Sequence, residues 1–203
     1  MDLLFRFVRK YKIMQKNKNS SNSKLSSSLS ALFKEIGKII IRIERKSWIL
    51  MSDEELEKVP NVSGVYLISI TKTGGASAID FKNDNIFYIG ASGEIRERLK
   101  KFKTAISNGR GHWGANKICN LEKYKYIKDN LNLSNPLKGK YKLFFAYIET
   151  DKQNITATYD KKIQNEIIPQ TIEHNLLLFY VYLKGSLPEL NKNNDDNKKN
   201  KKK

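Results

Sequence analysis

The sequence predicts an α+β fold in which a small sheet is covered by helices. Residues 62–70 and 85–90 are rich in Val, Ile, Phe and Tyr and flank a segment containing Gly74-Gly75, so they read as paired strands. Ile95, Leu99, Phe102 and Ile106 then recur at helical spacing, which makes one apolar helix face. A third strand follows at Tyr141 to Glu149, and helical patterning resumes from about Asp160. The order strand, strand, helix, helix, strand, helix is not the regular alternation of a parallel α/β sheet.

Taken from the N-terminus, Asn17 to Ser30 is a Ser/Asn/Lys segment with no hydrophobic period and is expected to be disordered. From Ala31 to Trp48, Leu32, Ile36, Ile39, Ile40 and Ile43 recur between Lys and Arg, predicting a basic amphipathic helix suited first to packing on its own domain, then to a membrane surface or to DNA. Ser52-Asp53-Glu54-Glu55 has the Ser-x-x-Glu form of a capping box, so a short helix starts there and ends before Pro60. Ser92-Gly93 offers an N-cap to the helix bearing the Ile95 stripe, which Asn108 to Gly111 closes. One further helix is expected over about Ala115 to Lys128, ahead of a loop marked by Asn135-Pro136 and Gly139. Pro169 marks a kink or the first turn of a helix running to Lys184.

The chain has 203 residues, enough for one domain with a sizeable core. Its net charge of +17 is concentrated at the ends: residues 1–50 hold 12 Lys/Arg against 3 acids, and residues 192–203 hold 6 against 2. Three segments follow: a basic extension at 1–51, a domain at 52–191 and a Lys/Asn-rich tail at 192–203. Basic ends suit a polyanion, with nucleic acid the leading partner and an anionic membrane surface the second. A solvated tail of biased composition fits 192–203 equally well. Residues 1–34 carry Asp2 as their one acid and fit an organellar transit peptide or a DNA-binding arm; Met14 or Met51 could also be the true start.

The single cysteine, Cys119, cannot form an internal disulfide, and with His112 and His174 it allows no zinc-ligand spacing. No apolar run approaches the ~18 residues of a membrane span. A soluble intracellular protein without stable membrane association is therefore expected.

Within this framework Gly64-Val65-Tyr66 in the first strand and Tyr88-Ile89-Gly90 in the second resemble the two name-giving motifs of the GIY-YIG nuclease family. Arg98, ten positions after Tyr88 and followed by Leu99, is similar to that family's catalytic arginine on its helix. Glu173 in Thr171-Ile172-Glu173-His174-Asn175 resembles the glutamate of a later helix, with Glu166 as a competing candidate. Asn191 in Leu187-Pro188-Glu189-Leu190-Asn191 is similar to the asparagine that closes the domain. Gly111-His112-Trp113-Gly114 looks like a segment of one bacterial branch. The resemblance spans about residues 60–191. It implies a three-stranded antiparallel sheet flanked by helices, a DNA-cleaving activity, and catalytic roles for Tyr66, Tyr88, Arg98, Glu173 and Asn191. A degenerate domain that binds nucleic acid without cutting it is the alternative.

Two positions depart from the family. Many members carry a lysine just after the second motif and others a histidine four after the arginine; here Ala91 and Phe102 stand there.

The residue types suit phosphodiester hydrolysis. In-line attack by water builds negative charge on the phosphate oxygens and the leaving oxygen, and a cation must meet each. Arginine pairs two phosphate oxygens with a permanently charged planar fork. Arg98 lies about 70° from the centre of the apolar stripe on a 3.6-residue wheel, whereas Arg96 sits on the opposite flank. Mg²⁺ (or Mn²⁺) suits the leaving oxygen, and Glu173 would be its carboxylate ligand. Lacking Lys at 91 and His at 102, the site offers a tyrosine as general base: Tyr66 is favoured, with Tyr88 positioning the phosphate, and the resemblance leaves the choice between the two open. His112 and Trp113 fit base stacking or packing against the sheet.

Overall fold

The computed structural model describes residues 37–72, 78–82, 84–150 and 168–192. The Ser/Asn/Lys segment at 17–30, Gly74-Gly75, the helical pattern from Asp160 to residue 167 and the tail from 193 lie outside them. The chain divides into two units, Met1–Arg42 and Ile43–Lys203. In the first, residues 37–42 are helical. In the second, the helix expected to reach Trp48 has given way to a turn at Arg45, and the Trp48 indole N–H donates to the Asp84 carboxylate at 2.7 Å.

A four-stranded antiparallel sheet organises this second unit. Strands β1 (Ile49–Leu50), β2 (Gly64–Thr71), β3 (Ile86–Ser92) and β4 (Lys142–Glu149) lie in the order β1-β4-β2-β3. This corrects the expected three strands to four, the added strand β1 preceding residue 52. The extra strand β1 is two residues long, too short for a period-2 pattern, and it forms because Phe144 and Phe145 offer it the open edge of β4. β2 lies between two partners, and Gly64 through Ile70 are buried on both faces. That explains why its sequence reads as a near-continuous apolar run.

On one face of the sheet α2 (Ile95–Asn108) packs directly, α1 (Asp53–Lys58) and α3 (Trp113–Asn120) share its buried cluster, and α4 (Lys125–Asn130) packs on α3. Tyr66, Ile68 and Ile70 from β2 meet Ile95, Leu99, Phe102 and Ile106 of α2 there in one buried cluster with Ala115 and Ile118. The predicted stripe is thus the buried face. The α1 cap is half of the expected box: Ser52 Oγ accepts from the Glu55 N–H at 3.1 Å, while the Glu55 carboxylate is drawn to Lys58 at 2.7 Å. α5 (Ile168–Lys184), with Pro169 in its first turn, packs on β3 and β2. A 3₁₀ turn at Glu189–Asn191 then returns the chain to β3.

Two helix boundaries differ from expectation. Ser92 does not cap α2: its hydroxyl accepts from the Glu94 N–H at 3.0 Å, and the helix starts at Ile95. The single helix expected over 115–128 is α3, a 3₁₀ turn at Glu122–Tyr124 and α4, broken at Leu121, whose backbone is extended. Burial of Tyr124 under the sheet accompanies the break, and no Gly or Pro marks it in the sequence. Among the described residues no helix is long and apolar enough to cross a membrane.

Candidate active site

Tyr66 pairs with Gly90 across the β2–β3 ladder and Tyr88 with Ile68, so both tyrosines stand on the helix-covered face. Their ring centroids are 5.9 Å apart. Gly90 is what permits this: a Cβ there would lie 2.6 Å from Tyr88 Cε1 and 2.7 Å from the Tyr66 hydroxyl. Gly114 does the same from α3, since its Cβ would fall 2.7 Å from Tyr88 Cε2. The Tyr88 ring is therefore clamped between the close backbones of a strand and a helix.

Arg98, in the first turn of α2, lies close enough to both tyrosine hydroxyls to oppose the rise of their pKa values. Arg96 points away, its Nε donating to the Val59 carbonyl at 2.5 Å. Glu173, in the second turn of α5, accepts from the Ala91 N–H on the outer edge of β3. Its charge acts on both tyrosines and on Arg98. Four of the five predicted residues thus form one electrostatic cluster, drawn from β2, β3, α2 and α5. Glu166 lies outside the described residues.

Asn191 takes a different place. Its amide accepts from the Ile89 N–H at 2.9 Å and donates to the Ile89 carbonyl at 2.8 Å. Its amide is engaged at both ends on the edge of β3, so Asn191 holds the strand that carries Tyr88. The turn bearing it is pinned twice. The Lys117 ammonium, buried against the Trp113 ring, donates to the carbonyls of Leu190 (3.0 Å) and Lys192. The Glu189 carboxylate accepts from Tyr124 (2.8 Å), Lys123 (2.8 Å) and Lys192 (2.6 Å).

Burial alone would raise the Glu189 pKa, but these hydrogen bonds outweigh it and hold the carboxyl down to about 2. With a folded pKa below the ordinary carboxylate value near ~4.3, its contribution to stability is complete above that value and disappears as pH falls through about 2. Glu189→Gln is expected to lower thermal stability at pH 7 and to flatten the loss of stability between about 4.5 and 2. Thermal melts of both proteins over that range check it, and parallel curves would contradict it.

His112, whose local role the sequence left open between stacking and packing, lies inside the cluster. It is the N-cap of α3: Nδ1 accepts from the Ala115 N–H at 3.3 Å, and Nε2 lies 2.8 Å from the Tyr66 hydroxyl. The imidazole is 1 % exposed and meets the rings of Phe102 and Tyr88 edge-on at centroid distances of 4.8 and 5.3 Å. Burial and the charge of Arg98 push its pKa down to about 3, so the ring is neutral near pH 7. An imidazole thus stands beside Phe102, the position where some members of the resembled family carry histidine, but it comes from the next helix. The Gly111–Gly114 segment was the available signal. Its polar-then-glycine pattern is that of an ordinary cap, which hid the contact with Tyr66.

Burial raises both phenols, Tyr66 most strongly, while Arg98 opposes it; both are protonated near neutral pH. Glu173 is raised by burial, with His174, the Ala91 N–H and Arg98 working against the shift. A carboxylate short of solvation beside one arginine fits a divalent cation, which would relieve that penalty. Among the described residues no group of three or more His, Cys, Asp or Glu could hold a metal ion. Glu173 would then be a lone protein ligand, an arrangement Mg²⁺ accepts because it keeps waters and substrate phosphate.

No family model, curated protein or solved structure matches the chain.

Proposed function

We propose that this chain is a metal-dependent endonuclease of the GIY-YIG type that hydrolyses DNA phosphodiester bonds by in-line attack of water. The observation that carries the reading is the convergence of Tyr66, Tyr88, Arg98 and Glu173 from four separate elements into one electrostatically coupled cluster. These are the same residues by which the sequence resembles the GIY-YIG family. Arg98 neutralises the non-bridging oxygens as charge builds on them, and its field also keeps the neighbouring imidazole neutral. The tyrosine pair serves to orient the attacking water or the phosphate. Glu173 would hold Mg²⁺ or Mn²⁺, which supplies Lewis-acid stabilisation of the leaving oxygen. Asn191 and Lys117 act further back by fixing the edge strand.

Incubating the full chain with plasmid, linear duplex and branched DNA, with and without Mg²⁺, tests the proposal. Metal-dependent cuts whose ends map to single phosphodiester positions are expected. Binding of all three substrates without any cut would favour the non-cleaving alternative.

A further inference from the structure

The hydrogen bonds around Tyr66 run in one direction. His112 Nδ1 spends its lone pair on the Ala115 N–H, so a neutral ring must carry its proton on Nε2. That Nε2–H points at the Tyr66 hydroxyl oxygen, 2.8 Å away. A phenol donates only once, so with His112 donating to it the Tyr66 hydroxyl must send its proton to another neighbour. Tyr88 is the phenol beside it, its ring centroid 5.9 Å away.

We infer that His112, Tyr66 and Tyr88 form a one-way hydrogen-bond chain, started by the α3 cap, whose open end is the Tyr88 oxygen. Tyr88, rather than Tyr66, then meets the reacting water or phosphate. Exposure agrees with this: Tyr66 is 0 % exposed and Tyr88 is 7 % exposed. Tyr66 and His112 are positioning residues that act through Tyr88. This inference exchanges the roles the sequence favoured for the two tyrosines, because Tyr66 is fully buried in the cluster with α2 and α3. The catalytic half of this inference rests on the nuclease reading, whereas the direction of the chain does not.

Two measurements test it. The first is the tautomer of His112 in the full chain labelled with ¹⁵N-histidine, read from long-range ¹H–¹⁵N correlations at pH 7, with His112→Gln used to separate its signals from those of His174. A protonated Nε2 and a bare Nδ1 are expected. A proton on Nδ1, or on both nitrogens, overturns the chain.

The second is single-turnover cleavage at saturating DNA and Mg²⁺, paired with thermal melts. His112→Asn keeps an acceptor at the cap but falls short of Tyr66. It is expected to melt near the wild type and to cut about tenfold or more slowly. His112→Gln reaches towards Tyr66 with an amide N–H but caps poorly, so it should melt lower and cut faster than the Asn variant. Tyr88→Phe should lose about 10²-fold or more and Tyr66→Phe distinctly less. Asn as active as wild type, Gln no better than Asn, or Tyr66→Phe the slower of the two phenylalanine variants would each overturn the assignment. A wild-type chain that cuts no DNA would end the nuclease reading, and the ¹⁵N spectra would still decide the hydrogen-bond chain.

Discussion

Glu173→Gln is expected to abolish cleavage, by about 10³-fold or more, if this carboxylate is the protein ligand of a catalytic cation worth several kcal/mol to the transition state. The substitution removes one negative charge and almost no volume. Its amide oxygen can still accept from the Ala91 N–H that Glu173 now uses, so the contact between α5 and the β3 edge is retained. DNA affinity should be unchanged or slightly higher, since a carboxylate facing a phosphate backbone is lost. Single-turnover cleavage over a Mg²⁺ titration, alongside binding in the absence of cutting, measures both quantities. A variant that cuts at the wild-type rate would remove Glu173 from the metal site. If Glu166→Gln were then inactive, the helix assignment itself would shift.

Arg98→Lys should cost about 10²–10³-fold in single-turnover rate while DNA binding changes far less. The charge survives, but the planar fork that reaches two oxygens at once does not. The Arg98 charge acts on Tyr66, Tyr88, His112 and Glu173, so the loss extends beyond the phosphate. The expected signature is a fall in rate at saturating DNA with only a small change in apparent affinity. A loss confined to affinity would instead make Arg98 a simple phosphate-binding cation.

The local patterns in the sequence record one side chain's preference at a time, and they determined what can be decided that way. β2 and β3 were legible as Val/Ile/Tyr runs, α2 as a stripe from Ile95 to Ile106, and the last helix from Pro169. Tyr66, Tyr88, Arg98 and Glu173 were legible through the resemblance of their motifs to the GIY-YIG family; by periodicity alone they read as strand aromatics, a helix-flank cation and a helix-terminus carboxylate. Tertiary structure decided the rest. β1 exists because β4 has an open edge, and the break at Leu121 accompanies the burial of Tyr124. Asn191 meets Ile89 across 102 positions, and His112 meets Tyr66 across 46. Contacts at such separations leave no period in the chain. The direction of the hydrogen bonds through Tyr66 depends on which donor faces its oxygen, a relation that exists only once strand and helices are packed together.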